Sequence, residues 1–380
     1  MISFSNRVHT VEEYYFSQKL KEVKRLQEAG KAVINMGIGS PDLPPHPTVV
    51  AALTGTANAT ETHGYQNYQG IPALRRAFVD FYEKKYGVTN FTDTEVLPLI
   101  GSKEGILHIS MAFLNEGDAV LVPDPGYPTY TSVLKMLGNE CIYYSLNKEN
   151  AWYPDLQDLE KKDLSRVKMM WINYPHMPTG AKADRQIFKA LVDFAKAHDL
   201  LLVNDNPYSM ILTDEPRSIF QIPGAKMVAL ELNSLSKTAN MAGWRVGAVL
   251  GQGKFIDAIV KVKSNVDSGM FLGIQNGAIA ALNLGEAWYS ELNAEYAARR
   301  KMIWELVKKL GLEYSEDAEG MFVWAKLPDG IKSREFVDGL LENKSIFMAP
   351  GDIFGNNGEG WVRLSLCVNK SQILEAINRI

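Results

Sequence analysis

The chain has 380 residues, 46% apolar and 22% charged, with a net charge of −4; this is ordinary globular composition, long enough for more than one domain and a large core. Lysines and arginines are scattered, which argues against a nucleic-acid footprint or a charged tail. No stretch reaches transmembrane length and Met1 to Arg7 carry no apolar signal core, so a cytoplasmic protein with no membrane or nucleic-acid partner is expected.

Apolar residues recur at helical spacing from Val11 to Gly30, where the glycine is a stop. Val33 to Gly39 reads as a short extended run. It is broken by Ser40 to Pro47, whose four prolines leave few backbone donors. Gly37-Ile38-Gly39 lacks the third glycine and the helix offset of a dinucleotide fingerprint. Val49 to Leu53 is a helix fragment. Gly70-Ile71-Pro72 reads as a helix entry, with Tyr65 ahead of it, and that helix runs to about Tyr86 and stops at Gly87.

Val96 to Ile100 is a strand that leads into Gly101-Ser102-Lys103 and a helix. Free backbone donors and the helix dipole at such a turn suit a phosphate, and the glycine allows a close approach. The strand Ala119 to Pro123 ends in Asp124-Pro125-Gly126-Tyr127, which sets Tyr127 in a rigid turn at the edge where parallel sheets bind ligands. Met169 to Pro175, with Asn173 inside it, is the next strand, followed by the turn His176-Met177-Pro178-Thr179-Gly180. Ile187 to His198 is an amphipathic helix and Leu200 to Asn204 a strand. Asp205, at the end of that strand, needs a cationic or donating partner, and Tyr208 lies three residues on.

The apolar run Met227 to Leu232 opens the most informative stretch, Ser234 to Gly247. Lys237 at the end of a buried strand is costly unless its amine is used. A desolvated amine beside another cation is what a Schiff-base lysine requires. Ser234, Ser236 and Arg245 could hold a phosphate, the arginine in a fork. Taken alone, the stretch also fits a solvated surface turn.

Strand and helix alternate from residue 95 to about 285, which predicts a doubly wound, largely parallel α/β sheet. Beyond it, a charged helical stretch from Trp288 to Leu310 leads to strands at Met321 to Leu327 and Gly360 to Leu366, with helices at Ser333 to Glu342 and Lys370 to Ile380. This predicts a large domain over 41–285 and a small α+β domain over 1–40 and 286–380, with the N-terminal helix packed on the latter. The six histidines show no ligand spacing, and Cys141 and Cys367 lie far apart in apolar runs. Buried free thiols and no metal site are expected. No Gly-x-Ser-x-Gly elbow supports a serine hydrolase.

Ser234-Leu235-Ser236-Lys237 and Gly243-Trp244-Arg245-Val246-Gly247 resemble the lysine segment of the fold-type I aminotransferases that use pyridoxal 5′-phosphate (PLP), Ser-x-Ser-Lys followed by Gly-x-Arg-x-Gly. Asp205 and Tyr208 match the family's Asp-x-x-Tyr. Matches at Gly39, Tyr65, Ser102-Lys103, Tyr127 and Arg363 complete a series in the family's order across nearly the whole chain. The resemblance implies transfer of an amino group from an amino acid to a 2-oxo acid. Lys237 would form the Schiff base and then move the proton, Asp205 would keep the ring nitrogen protonated, and Tyr208 would donate to the phenolic oxygen. Tyr127 would stack on the ring, and Ser102, Lys103, Ser234, Ser236 and Arg245 would surround the phosphate. Gly39 and Arg363 would bind substrate, the arginine clamping its α-carboxylate. Tyr65 would reach the cofactor of a partner subunit, which implies a homodimer with a shared site.

The family's Asn-Pro-Thr-Gly turn is the departure: Met177 stands where the Asn binds the phenolic oxygen. A thioether donates no hydrogen bond, so Tyr208 would act alone unless Asn173 or His176 turns inward. Lys263 to Gln275 resembles the alanine-type and diaminopimelate-type branch. Another PLP reaction in the same fold, such as β-elimination or decarboxylation, and a catalytically silent PLP-binding protein are the alternatives.

Overall fold

The computed structural model describes residues 2–380. A single turn α1 (Asn6–His9) precedes α2 (Tyr15–Glu28), which buries Phe16 and Val23. The short strand β1 (Ile34–Asn35) follows. Helices α3 (Pro47–Ala57) and α4 (Pro72–Tyr86) both start on a proline, whose missing N–H costs nothing in a first turn. The second ends at Gly87, whose φ of 66° closes the helix in the left-handed region.

The alternating core then runs β2 (Val96–Leu99), α5 (Ser102–Phe113), β3 (Ala119–Asp124), α6 (Pro128–Leu137), β4 (Glu140–Ser145), α7 (Leu156–Leu159), β5 (Val167–Ile172), α8 (Arg185–Ala197), β6 (Leu201–Asn206), β7 (Ala229–Ser234), α9 (Leu235–Thr238), β8 (Gly247–Gly251), α10 (Gly253–Lys263) and α11 (Leu272–Leu282). These strands form one seven-stranded sheet in the order β2-β8-β7-β6-β5-β3-β4. The sheet is parallel between β4, β3, β5, β6 and β7, while β8 runs antiparallel to both β7 and β2. Alternate residues face opposite ways. Leu97, Val120, Trp171, Leu230 and Val249 pack with α5, α6 and α10. Leu121, Met170, Ile172, Leu202 and Leu250 pack with α4, α8 and α11. Both faces are therefore covered, which is why the central strands read as continuous apolar runs.

The remaining elements are α12 (Glu286–Lys309), β9 (Glu313–Tyr314), β10 (Phe322–Lys326), α13 (Ser333–Lys344), β11 (Ile346–Phe347), β12 (Ala349–Pro350), β13 (Trp361–Ser365) and α14 (Lys370–Arg379). An antiparallel sheet β12-β13-β10-β9 forms here, and β11 pairs in parallel with β1. Phe16, Val23, Ile34 and Met36 accordingly share a core with Phe347, Leu364 and Ile373. Helix α12 joins the two masses: Tyr289 belongs to the large-sheet core, Tyr296 and Ile303 to the other. One expectation needs correction. Cys367 is buried, but Cys141 is only half-buried, because it lies on the edge strand β4; both thiols are free. No helix among the described residues is long and apolar enough to cross a membrane.

Candidate active site

The carboxyl ends of β3, β5, β6 and β7 and the start of α5 open onto a cavity of about 870 Å³, the edge at which such sheets bind ligands. All the residues singled out by sequence line it except Tyr65. Tyr65 is 96% exposed on this chain's surface, next to the bridge between Gln66 and Gly269.

One end of the cavity is built for an anion. Gly101, with φ 78°, delivers the chain into α5, and the N–H groups of Ser102 and Lys103 at its start have no helical acceptor, whereas that of Glu104 donates to the Gly101 carbonyl at 3.2 Å. A Cβ on Gly101 would lie 2.2 Å from Nη2 of Arg245, so the guanidinium occupies space that only glycine leaves free. Arg245 itself sits at φ 59° and donates from Nη1 to the Ala242 carbonyl at 2.9 Å. The Ser234 hydroxyl caps α9 by accepting from the Ser236 N–H at 3.3 Å. Lys103 lies with its amine 5.0 Å over the Tyr14 ring, and burial and then Arg245 hold its pKa down.

The middle of the cavity carries the chemistry. The Lys237 amine donates to the Gly39 carbonyl. Burial lowers its pKa, with Arg363 and Arg245 adding to the effect against an opposing pull from Cys367. Gly39 is held by contact: a Cβ there would fall 2.5 Å from the Phe322 ring. Asp205 accepts from the Tyr130 hydroxyl through Oδ2 at 2.9 Å, but its Oδ1 is buried without a partner. Burial pushes this carboxyl up to about 6 despite the Tyr130 bond. The Tyr208 hydroxyl is pushed up by burial as well. Tyr127 stands edge-on to Tyr130 at 5.6 Å between ring centres.

The turn carrying Met177 answers a question left open by sequence. Asn173 donates to the Asp205 carbonyl and accepts from the Met177 N–H at 2.8 Å, so its amide shapes the turn. His176 pairs with the Thr179 hydroxyl at 2.8 Å and does not line the cavity. Burial holds its pKa down at about 3, so it is neutral. Met177 faces Arg363, with Sδ 3.2 Å from Nη1.

Arg363 projects from β13 and donates from Nη2 to the Gly37 carbonyl at 2.7 Å, while its Nε has no partner. Three phenyl rings surround the guanidinium, Phe322 at 4.1 Å, Phe354 at 4.7 Å and Phe16 at 5.4 Å. Burial lowers its pKa to about 10, so it stays cationic at neutral pH. These phenylalanines, with Tyr14 just before α2 and Leu20 within it, are cavity residues that sequence reasoning missed. An aromatic at helical or strand spacing carries the same signal as core packing.

One histidine does stand beside carboxylates. Glu104 and His108, one helical turn apart on α5, meet Asp267 with potential ligand atoms within 4.8 Å of one another. The spacing i, i+4 was the available signal. The Lys263 ammonium already sits among them, 3.3 Å from Glu104 and paired with Asp267, and offsets part of the cluster's negative charge.

Ordinary packing does not explain why a lysine and an aspartate with a free oxygen face one buried space. A pyridine cofactor with a phosphate arm does: the free Oδ1 fits a protonated ring nitrogen, the cradle at Gly101 and Arg245 fits the phosphate, and the desolvated amine fits the carbonyl between them. Fold and site together define a PLP-dependent transferase of fold type I. The sequence model described as "Aminotransferase class I and II" matches residues 31–380, and the chain belongs to that family. It is 41% identical to the LL-diaminopimelate aminotransferase of Dehalococcoides mccartyi over 381 residues, covering 100% of this chain and 98% of that one. The enzyme of the same name from Aquifex aeolicus is also 41% identical, over 383 residues, with coverage of 100% and 99%. Among solved structures, apo-BacF from Bacillus subtilis superimposes with a TM-score of 0.96 at 36% identity, covering 100% of this chain and 98% of that one. Aspartate aminotransferase from Thermus thermophilus with maleate gives 0.93 at 25% identity, with coverage of 100% and 99%. The protein is a PLP-dependent transaminase that moves an amino group from an amino acid to a 2-oxo acid, close to the diaminopimelate-type branch.

Proposed function

We propose that Lys237 is the residue that carries PLP and then moves the proton, and that the other groups in the cavity divide the remaining tasks. Bound PLP supplies an electron sink for the charge left when the donor's Cα loses its proton. The Asp205 Oδ1 holds the ring nitrogen in its protonated state. Tyr127 stacks on the ring, Asn173 and Met177 border it, and Tyr208 donates to its phenolic oxygen. Ser102, Lys103, Ser234, Ser236 and Arg245 bind the phosphate. Arg363 pairs with the donor's α-carboxylate beside Gly39, where the planar fork gives a geometry that lysine does not copy. The freed Lys237 amine takes the proton from Cα and delivers it again on the far side of the transferred nitrogen, a task that the downward push of burial on its pKa favours.

The proposal includes a cytoplasmic homodimer in which each subunit's Tyr65 serves the other's phosphate end, and a division into a large domain, 41–285, and a small one made of 1–40 and 286–380. The names of the relatives make LL-diaminopimelate the first donor to assay, with alanine, aspartate and glutamate beside it and 2-oxoglutarate or pyruvate as acceptor. The observation that carries the reading is the pairing of a half-buried lysine with the unpartnered Asp205 Oδ1 in one cavity. Lys237→Ala is expected to leave a folded protein that binds PLP weakly and transfers no amino group. Substantial multi-turnover transfer by this variant would sink the assignment.

A further inference from the structure

The cavity lies between two separately built masses, and one carboxylate outside it registers them. Asp124 is the last residue of β3 in the large sheet, 7% exposed. Across from it runs the loop Gly351 to Gly358, two short 3-10 turns joined at Gly355. The Asp124 Oδ1 accepts from the Asn357 N–H at 2.9 Å and Oδ2 from the Asn356 N–H at 3.2 Å. The Asn357 side chain donates to the Asp124 carbonyl at 3.1 Å, and the Gly126 N–H donates to the Phe354 carbonyl at 2.7 Å. Successive N–H groups at the start of a helical turn make a cradle for one anion, and here the anion comes from the other mass.

The surrounding backbone leaves no slack. Gly355 has φ 139°, and a Cβ on it would lie 2.1 Å from the Asp124 Oδ1. A Cβ on Gly351 would lie 2.0 Å from the Gly358 carbonyl oxygen, so the loop is closed on itself. Arg334 of α13 ties it down through Asp352 at 2.5 Å. Both partners of the clasp lead directly to the cavity. Three residues after Asp124 comes Tyr127, and one residue before Gly355 comes Phe354, whose ring covers Arg363.

We infer that Asp124 is a positioning residue for the amino donor: its clasp on residues 354–357 sets how far Phe354 and Arg363 stand from the cofactor end of the cavity. This rests on the roles proposed above for Arg363 and the cofactor end, and adds a residue that touches neither. The cofactor end is built from residues 101–247 of the large sheet, so loosening the clasp moves the donor's carboxylate anchor and leaves the cofactor held.

The test uses the full-length protein loaded with PLP. Asp124→Asn keeps the shape, but presents an amide N–H to one of the two backbone donors. Gly355→Ala drives a methyl against the carboxylate. Asn357→Ala removes only the side-chain bond. In the first two variants the donor KM is expected to rise about tenfold, the range for loss of a hydrogen bond to a charged group. Binding of the α-methyl analogue of the donor, which has no Cα proton to lose, weakens by the same factor in a spectral titration. PLP affinity is unchanged, and kcat at saturating donor stays within about threefold. Asn357→Ala shows a smaller rise of the same kind, about two- to threefold, and decides the matter if the stronger variants do not fold. A variant that loses thermal stability but keeps wild-type KM and analogue affinity overturns the inference and makes Asp124 a fold residue only. A wild-type protein that transfers no amino group would instead count against the assignment of the cavity.

Discussion

Met177 puts a sulfur against the Arg363 guanidinium at the point where a hydrogen-bond donor would border the cofactor. Of its neighbours, Asn173 is already engaged by the backbone of Asp205 and Met177, and neutral His176 by Thr179. Tyr208 is then the one side chain proposed to bind the phenolic oxygen. A hydrogen bond to a charged form stabilises it, so with one bond fewer that oxygen is more basic and the neighbouring proton is held to higher pH. The PLP-loaded wild type is expected to show a pH midpoint of its visible band above that of Met177→Asn, by about one unit for one such bond. Equal midpoints, or a higher one for the Asn variant, would show that the substitution is electronically silent. The site's chemistry was legible at this scale because Asp205, at a buried strand end, and Lys237, just past one, are residue types that such places tolerate only for a purpose. Phe16, Phe322 and Phe354 were not, since nothing in an apolar residue's identity tells whether it faces a core or a cavity.

At the scale of elements, a second strap crosses between the masses, opposite in character to the Asp124 clasp. The Glu319 N–H donates to the Gly180 carbonyl at 2.9 Å and the Gly320 N–H to the Ile211 carbonyl at 2.8 Å, while Arg300 donates to the Ala318 carbonyl at 2.7 Å. The Glu319 carboxyl is pushed up to about 7, first by burial and further by Asp214 and Asp317, against the pull of Lys182. The native state therefore binds this proton more tightly than the unfolded chain, whose carboxyl titrates near 4.5. The favourable contribution is full below that value and is lost as pH rises through about 7. Glu319→Gln should match the wild type in stability at pH 4.5 and exceed it at pH 8, by on the order of 1–2 kcal/mol once partial exposure is allowed for. Thermal melts at the two pH values check this; the same offset at both would assign the change to packing. Most elements could be read from sequence, because strands covered on both faces appear as unbroken apolar runs and α4 carries both its proline start and its glycine stop. The reversed β8 could not. Gly247-Ala248-Val249-Leu250-Gly251 is bounded by glycines at both ends, and a strand's direction is fixed by connections in space rather than by its residues.

At the scale of the whole molecule, Tyr65 projects from this chain with nothing to cover it, while every other residue assigned to the site lines the cavity. The proposed homodimer gives that side chain a place, and two-fold pairs are the commonest closed assembly. Sedimentation at micromolar concentration should give twice the 42.4 kDa of the chain. Tyr65→Phe should keep that mass but bind PLP several-fold more weakly, as expected for one lost hydrogen bond. A fully active monomer would refute both. The pairing of β1 with β11 has a consequence for how the chain is made. Ile34 meets Ile346 only when almost all of the polypeptide exists, whereas the seven-stranded sheet is complete by Gly251. During synthesis at roughly 5–20 residues per second, the first strand waits on the order of 15–60 s for its mate. Through that interval the apolar side of α2, with Phe16 and Val23, has no core to enter. The nascent chain is most exposed to aggregation at its oldest end, and the part of the cavity that α2 walls is the last to exist.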